Sequence, residues 1–183
     1  MREGAIAILR ESLFSLAAKL EQIDIPLEVV RMALQAKMKA EKREKGFHIG
    51  LIADGNRRYG VLEGEKHGIL EDQRKSWGHI QGAKAIQETF LPLVAQIPEI
   101  TECSLYLLSD DNLYNRDEKE LEKLDQLFAD EKRNLLTLAQ KNNIRYHHAG
   151  NMQELEIKMH GMAQGLKELV EETKGNNVLV VNL

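Results

Sequence analysis

The run from Phe47 to Ala53 constrains this chain most, because it is short, apolar and stops abruptly at Asp54-Gly55-Asn56-Arg57-Arg58-Tyr59. Phe47, Ile49, Leu51, Ile52 and Ala53 are too few for a free-standing helix and too apolar for a surface strand. They predict a strand buried on both faces of a parallel sheet. In such sheets ligands gather at the carboxyl ends of strands. A carboxylate there, followed by a glycine that lets the backbone come close, an amide and two guanidinium groups, suits a multiply charged anion held through a metal. Asp54 can hold Mg²⁺ against diphosphate oxygens, Asn56 can donate an amide hydrogen bond, and Arg57 and Arg58 can fork onto phosphate. Asp-Gly-Asn is also a good solvated turn; the two arginines directly after it favour the anion reading.

With 183 residues, 43% hydrophobic and 30% charged, the chain can build one ordinary core with an appendage. A net charge of −4 and a pI near 5.9 argue against a nucleic-acid partner. Cys103 is the single cysteine and sits in an apolar run, where burial is the plain reading. Charges at Arg2, Glu3, Arg10 and Glu11 break up the first twenty residues, which excludes a signal peptide or membrane span there and gives a cytoplasmic expectation. Ile6, Leu9, Leu13, Leu16 and Leu20 predict a helix over 5–20, and Pro26 starts a second with Leu27, Val30, Leu34 and Met38 on one side. Residues 1–46 therefore read as a helical hairpin extension that covers a domain or meets a partner helix. The basic cluster beyond Met38 adds a second expectation, contact with a membrane surface.

Beyond Tyr59, the glycines and charges of 60–77 predict a long mobile connection of the kind that closes over sites, with His67 solvated. Gly78-His79-Ile80-Gln81-Gly82 opens the next helix, and a histidine at a helix N-terminus suits an anion, though a ligand-free helix start would look the same. Cys103–Leu108 predicts a second buried strand, capped by Ser109, Asp110, Asp111 and Asn112, then Tyr114 and Arg116. A helix over 117–142, about 39 Å long, leads to a strand at 144–148. His147 and His148 face opposite ways on it, so they share no metal. A helix over 152–173 and a strand at 178–183 complete a β-α-β-α-β-α-β order, an α/β fold with a parallel sheet flanked by helices.

These segments resemble the cis-prenyltransferases, the family of the undecaprenyl diphosphate synthases. HIGLIADGNRRY is similar to the family's first strand and signature loop, GHIQGAKAI to its Gly-His-x-x-Gly helix start, and SLYLLSDDNLYNR to its Leu-Tyr-x-Phe-Ser-x-Glu-Asn-Trp-x-Arg segment. NNIRYHHAGN and GNNVLVVNL fall where the next two strands belong. The resemblance spans 47–183 and implies a transferase that condenses isopentenyl diphosphate with an allylic diphosphate, using Mg²⁺, to give a cis-polyprenyl diphosphate. It implies that Asp54 holds the metal and diphosphate, and that Gly55, Asn56, Arg57, Arg58 and Tyr59 surround the allylic diphosphate. His79 would touch phosphate, and Asn112 with Ser109 would sit by the condensing carbons. Asp110, Asp111 and Arg116 belong to the same segment, and the family's basic residue near the glycine-histidine start aligns with Lys75 or Arg74. A homodimer or a partner subunit is implied too. Arg57 stands where the family has glycine, Leu113 where it has tryptophan, and Arg116 is displaced by one position. The family continues past the last strand into a final third that binds isopentenyl diphosphate, so a non-catalytic or accessory homologue is the alternative expectation. An aspartyl phosphatase is a weaker one, since Asn56 stands where a second carboxylate is needed.

Overall fold

Five parallel strands form one sheet in the computed structural model, which describes residues 7–9, 27–42, 44 and 46–183. They are β1 (Ala7–Leu9), β2 (Phe47–Ile52), β3 (Ile100–Tyr106), β4 (Ile144–His147) and β5 (Leu179–Asn182), in the order β1-β2-β3-β5-β4. The four strands expected from sequence are all present, and every pairing is parallel. Leu51, Cys103, Leu105, Tyr146 and Val181 fill one core beneath it. The middle strands are apolar at these positions because helices cover this face; the other face carries the half-buried polar His48, Glu102, Ser104 and Asn182 and the exposed Tyr106, which corrects the expectation of burial on both faces.

Ala7–Leu9 corrects the helix expected over 5–20: these residues run beside Ile49–Leu51 as an edge strand. A three-residue apolar stretch satisfies either period, and the unpaired edge of β2 supplies backbone partners that decide between them. The rest of that first helix lies outside the described residues. The second helix expected there is α1 (Leu27–Ala40), whose Val30, Leu34 and Met38 pack on the core as their spacing requires. Gln35 Nε2 donates to Glu99 Oε1 at 2.5 Å, tying α1 to the turn before β3.

The expected mobile connection at 60–77 is mostly helical. α2 (Asn56–Gly64) begins directly after Gly55, and α3 (Arg74–Lys84) begins four residues before the glycine-histidine pair. Glycine here means close packing. A Cβ on Gly60 would collide with the Arg74 carbonyl oxygen, and one on Gly78 with the Asn56 carbonyl oxygen. α3 then widens into a π turn over Ala85–Phe90 before Leu91–Ala95. Pro92 has no N–H for the carbonyl four residues back, and the wider turn accommodates that missing donor.

α4 (Asp110–Asn115) and α5 (Glu118–Asn142) follow β3. Asp117 caps α5 by accepting from Glu120 N, and Asn143 ends it in the left-handed conformation at φ 54°. The single helix expected over 152–173 is broken at Met159 into α6 (Met152–Lys158) and α7 (His160–Thr173). The Asp125 carboxylate on α5 causes the break, accepting from Gly161 N at 3.1 Å and Met162 N at 2.6 Å and so capping α7 from another element. A cap supplied from 36 residues away leaves no local signal.

Candidate functional site

The carboxyl end of β2 delivers Asp54, and the chain turns at once through Gly55, whose φ of 89° is a left-handed conformation that glycine adopts without strain. Gly55 N donates to Asp54 Oδ1 at 2.6 Å, and Arg58 donates to Asp54 Oδ2 at 3.2 Å across one turn of α2. Both side chains are 76% exposed, so this pair is open to exchange for a ligand. Asn56 is turned inward. Its amide oxygen is buried without a hydrogen-bond partner and lies against Gly82, where a Cβ would come within 2.5 Å.

Gly78 and Gly82, one helical turn apart, thus set α3 tightly against α2. His79 lies between them in the second turn of α3, so the expectation that it opens the helix is corrected. Burial and the Arg116 guanidinium push the His79 imidazole below its ordinary range, against the opposing pull of Glu120. At neutral pH it is an uncharged imidazole.

The segment after β3 meets this corner. Ser109 caps α4, and Asn112 Nδ2 donates to Ser109 Oγ at 2.8 Å. Arg116 Nε donates to Asn112 Oδ1 at 3.2 Å. Beyond Arg116 stands Glu120, whose Oε1 lies 3.5 Å from Arg116, 3.6 Å from Arg57 and 3.6 Å from His79. The two strand ends are therefore joined by a polar chain from Ser109 through Asn112, Arg116 and Glu120 to Arg57 and His79.

Two cavities share this corner. A polar cleft of about 650 Å³ is lined by Asp54, Gly55, Asn56, Arg57, Arg58 and Lys75, together with Ala53, Val61, Leu62, His79 and Arg116. A narrower apolar channel of about 140 Å³ shares Ala53, Asn56, His79 and Arg116 with it and runs inward between Ile86, Leu105, Leu124, Phe128 and Met162. Lys75 rather than Arg74 faces the cleft; Arg74 donates to the Ile69 carbonyl at 3.2 Å instead.

Not every candidate converges here. Tyr59 stacks on Trp77, ring centroids 5.7 Å apart and 13° from parallel, rather than lining the cleft. Ser109, Asp110 and Asp111 line a separate cleft of about 480 Å³, beside His148, Gly150 and Asn151. Glu120 was not among the residues that sequence reasoning singled out. Its one signal is the spacing of four from Arg116 on a helix, which a plain surface pair would share.

Asp54 can serve a divalent cation without further protein ligands. Among the described residues no group of three or more His, Cys, Asp or Glu is placed to hold a metal. One exposed carboxylate at the cleft fits Mg²⁺ arriving with a diphosphate, since that ion is ordinarily held by one or two carboxylates together with phosphate oxygens and water. Among the described residues no helix is long and apolar enough to cross a membrane.

Comparison with known proteins gives the family. The family described as "Putative undecaprenyl diphosphate synthase" matches residues 52–183. An isoprenyl transferase of Fusobacterium nucleatum is 29% identical over 136 residues, 74% of this chain and 53% of that protein. Isoprenyl transferase 2 of Tropheryma whipplei is 32% identical over 138 residues, covering 74% of this chain and 48% of that protein. Isoprenyl transferase 1 of Streptomyces avermitilis is 33% identical over 136 residues, covering 74% and 46%. The chain spans about half the length of the curated relatives it matches. With the match running from the last residue of β2 to the end of β5, the chain belongs to the undecaprenyl diphosphate synthase family of prenyltransferases.

Proposed function

We propose that this chain binds an allylic diphosphate with its headgroup in the Asp54 cleft and its hydrocarbon in the apolar channel, and extends it with isopentenyl diphosphate to a cis-polyprenyl diphosphate. The observation that carries the reading is the junction: a cationic cleft and an apolar channel meet at Asn56, His79 and Arg116. An amphiphile with a multiply charged head and an oily tail matches both at once.

In this reading Arg57, Arg58 and Lys75 take the diphosphate oxygens, and Gly55 leaves the first-turn N–H groups of α2 without intrahelical acceptors, available to the same anion. Arg116 supplies charge at the junction, where negative charge grows as the carbon–oxygen bond to diphosphate breaks. Asn112, aligned by Ser109 and Arg116, is the group that orients the second substrate. Asp54 would hold Mg²⁺, which supplies further neutralisation of the leaving diphosphate. Leu105, Leu124 and Phe128 keep water from the tail.

Incubation with farnesyl diphosphate, labelled isopentenyl diphosphate and Mg²⁺ tests this; a longer labelled prenyl product is expected, and none at high protein concentration overturns turnover by this chain. Asp54→Ala should lower the rate by about two orders of magnitude or more. A second reading is a module that binds the allylic diphosphate and turns over only with a partner chain, a homodimer copy or another subunit. It is favoured by Ser109, Asp110 and Asp111 lining a cleft separate from that of Asp54. Tight farnesyl diphosphate binding without product selects it.

A further inference from the structure

We propose that Glu120 is a resident counter-anion of the cleft: it engages the cations that an incoming diphosphate takes over, and thereby sets how readily that diphosphate leaves. The proposal rests on the reading of the cleft as a diphosphate site, and it assigns regulation of that site to a residue standing behind it.

Three observations carry it. A single oxygen, Oε1, faces Arg57, His79 and Arg116 at 3.5–3.6 Å. Charge-assisted hydrogen bonds close to roughly 2.7–2.9 Å, so the two guanidinium contacts act through charge and none of the three is a spent donor. Consistently, Glu120 Oε1 and His79 Nε2 are both buried without a hydrogen-bond partner. Second, Glu120 is anchored at its backbone and shielded at its side chain. Its backbone N–H donates to Asp117 Oδ1 at 2.9 Å in the first turn of α5, and its side chain is only 14% exposed. Third, its three partners line the polar cleft and Glu120 does not. The carboxylate touches these side chains without lining the space a ligand would fill.

The consequence has a definite sign. Arg116 is 12% exposed and, apart from Glu120, is fixed by the neutral Asn112 amide. Without the carboxylate it is a buried cation with no counter-charge, and an anion entering the cleft is the available remedy. Loss of Glu120 also loosens Arg57, which costs rotamer freedom on binding. Beside a guanidinium that is only 12% exposed, the gained attraction exceeds that cost. Glu120→Gln keeps the shape and removes the charge, so a purely structural role for Glu120 predicts unchanged or weaker binding where the counter-anion predicts tighter binding.

The test is calorimetric titration of the full chain with inorganic pyrophosphate, comparing the native protein with Glu120→Gln. Tightening by about tenfold or more in the Gln variant is expected; unchanged or weaker binding overturns the proposal. Should the Gln variant not fold, Glu120→Asp, which withdraws the carboxylate by one methylene, should tighten binding by roughly threefold, and weaker binding by it is equally fatal. If the Gln variant binds pyrophosphate while the native chain does not, the counter-anion stands and the diphosphate reading of the native cleft falls. If the native chain binds and the variant gains nothing, the reverse holds.

Discussion

His79 links the site to pH. Its folded-state pKa lies below the value near 6.5 expected of the unfolded chain, because burial, Arg116 and Arg57 all oppose its protonation while Glu120 only partly compensates. As pH falls through that value the unfolded chain takes up the proton first, so His79 subtracts stability on acidification and adds none above neutrality. Urea midpoints at pH 7.5 and pH 5.5 should therefore fall less in His79→Gln than in the native chain; equal falls would show that His79 is not held neutral by its surroundings. At this scale the sequence was partly legible. Asp54, Gly55, Asn56, Arg57 and Arg58 are contiguous, and a strand end brings them to the cleft without help from elsewhere. Glu120 comes from more than sixty residues later, and in its own neighbourhood it is one more acidic residue in the first turn of a helix. Its meaning arises only when α5 meets α2 and α3.

Among the elements, the α2–α3 contact decides where Asn56 and His79 point. Gly60 and Gly78 are in close backbone contact across it, and neither carbonyl they face can move without unwinding a helix. Gly78→Ala should therefore destabilise by about 1–3 kcal/mol, the usual range for overpacking, and should weaken pyrophosphate binding as α3 is pushed off Asn56. Gly175→Ala is the control. It faces open space, and its backbone does not adopt a positive φ, so the substitution should be neutral or stabilising by about 0.4–1 kcal/mol. Thermal melts of the two variants beside the native chain separate the cases, and similar melting temperatures would contradict the packing role. The same glycines explain the misreading of 60–77. In sequence a glycine signals either freedom or close approach, and the two are told apart only by what stands opposite. The break at Met159 is illegible for a related reason, because it answers Asp125 on a different helix, whereas the π turn answers Pro92, a signal the sequence carries.

For the molecule as a whole, the order of strands and helices was legible because each apolar run is bounded by turn chemistry, and the parallel sheet follows from that alternation. The edge strand Ala7–Leu9 was not, since three residues carry no period of their own. Cys103 offers a probe of how this architecture opens. It lies in β3, paired with β2 at Ile49 and with β5 at Val181, and no part of it reaches solvent. Burial pushes its thiol up to about 12, so the reactive thiolate is scarce even before access is considered. Exposing it requires separating the central strand from both neighbours, and the core packed there is the one that also walls the channel at Leu105 and Phe128. Labelling by a thiol reagent should thus follow opening of the whole domain and run about a thousandfold or more slower than in the unfolded chain, as a stability of about 5 kcal/mol requires. The labelling rate and the loss of far-ultraviolet circular dichroism should share one urea midpoint. Fast labelling in native buffer would mean that β3 opens by itself, and a channel with such a wall could not stay dry.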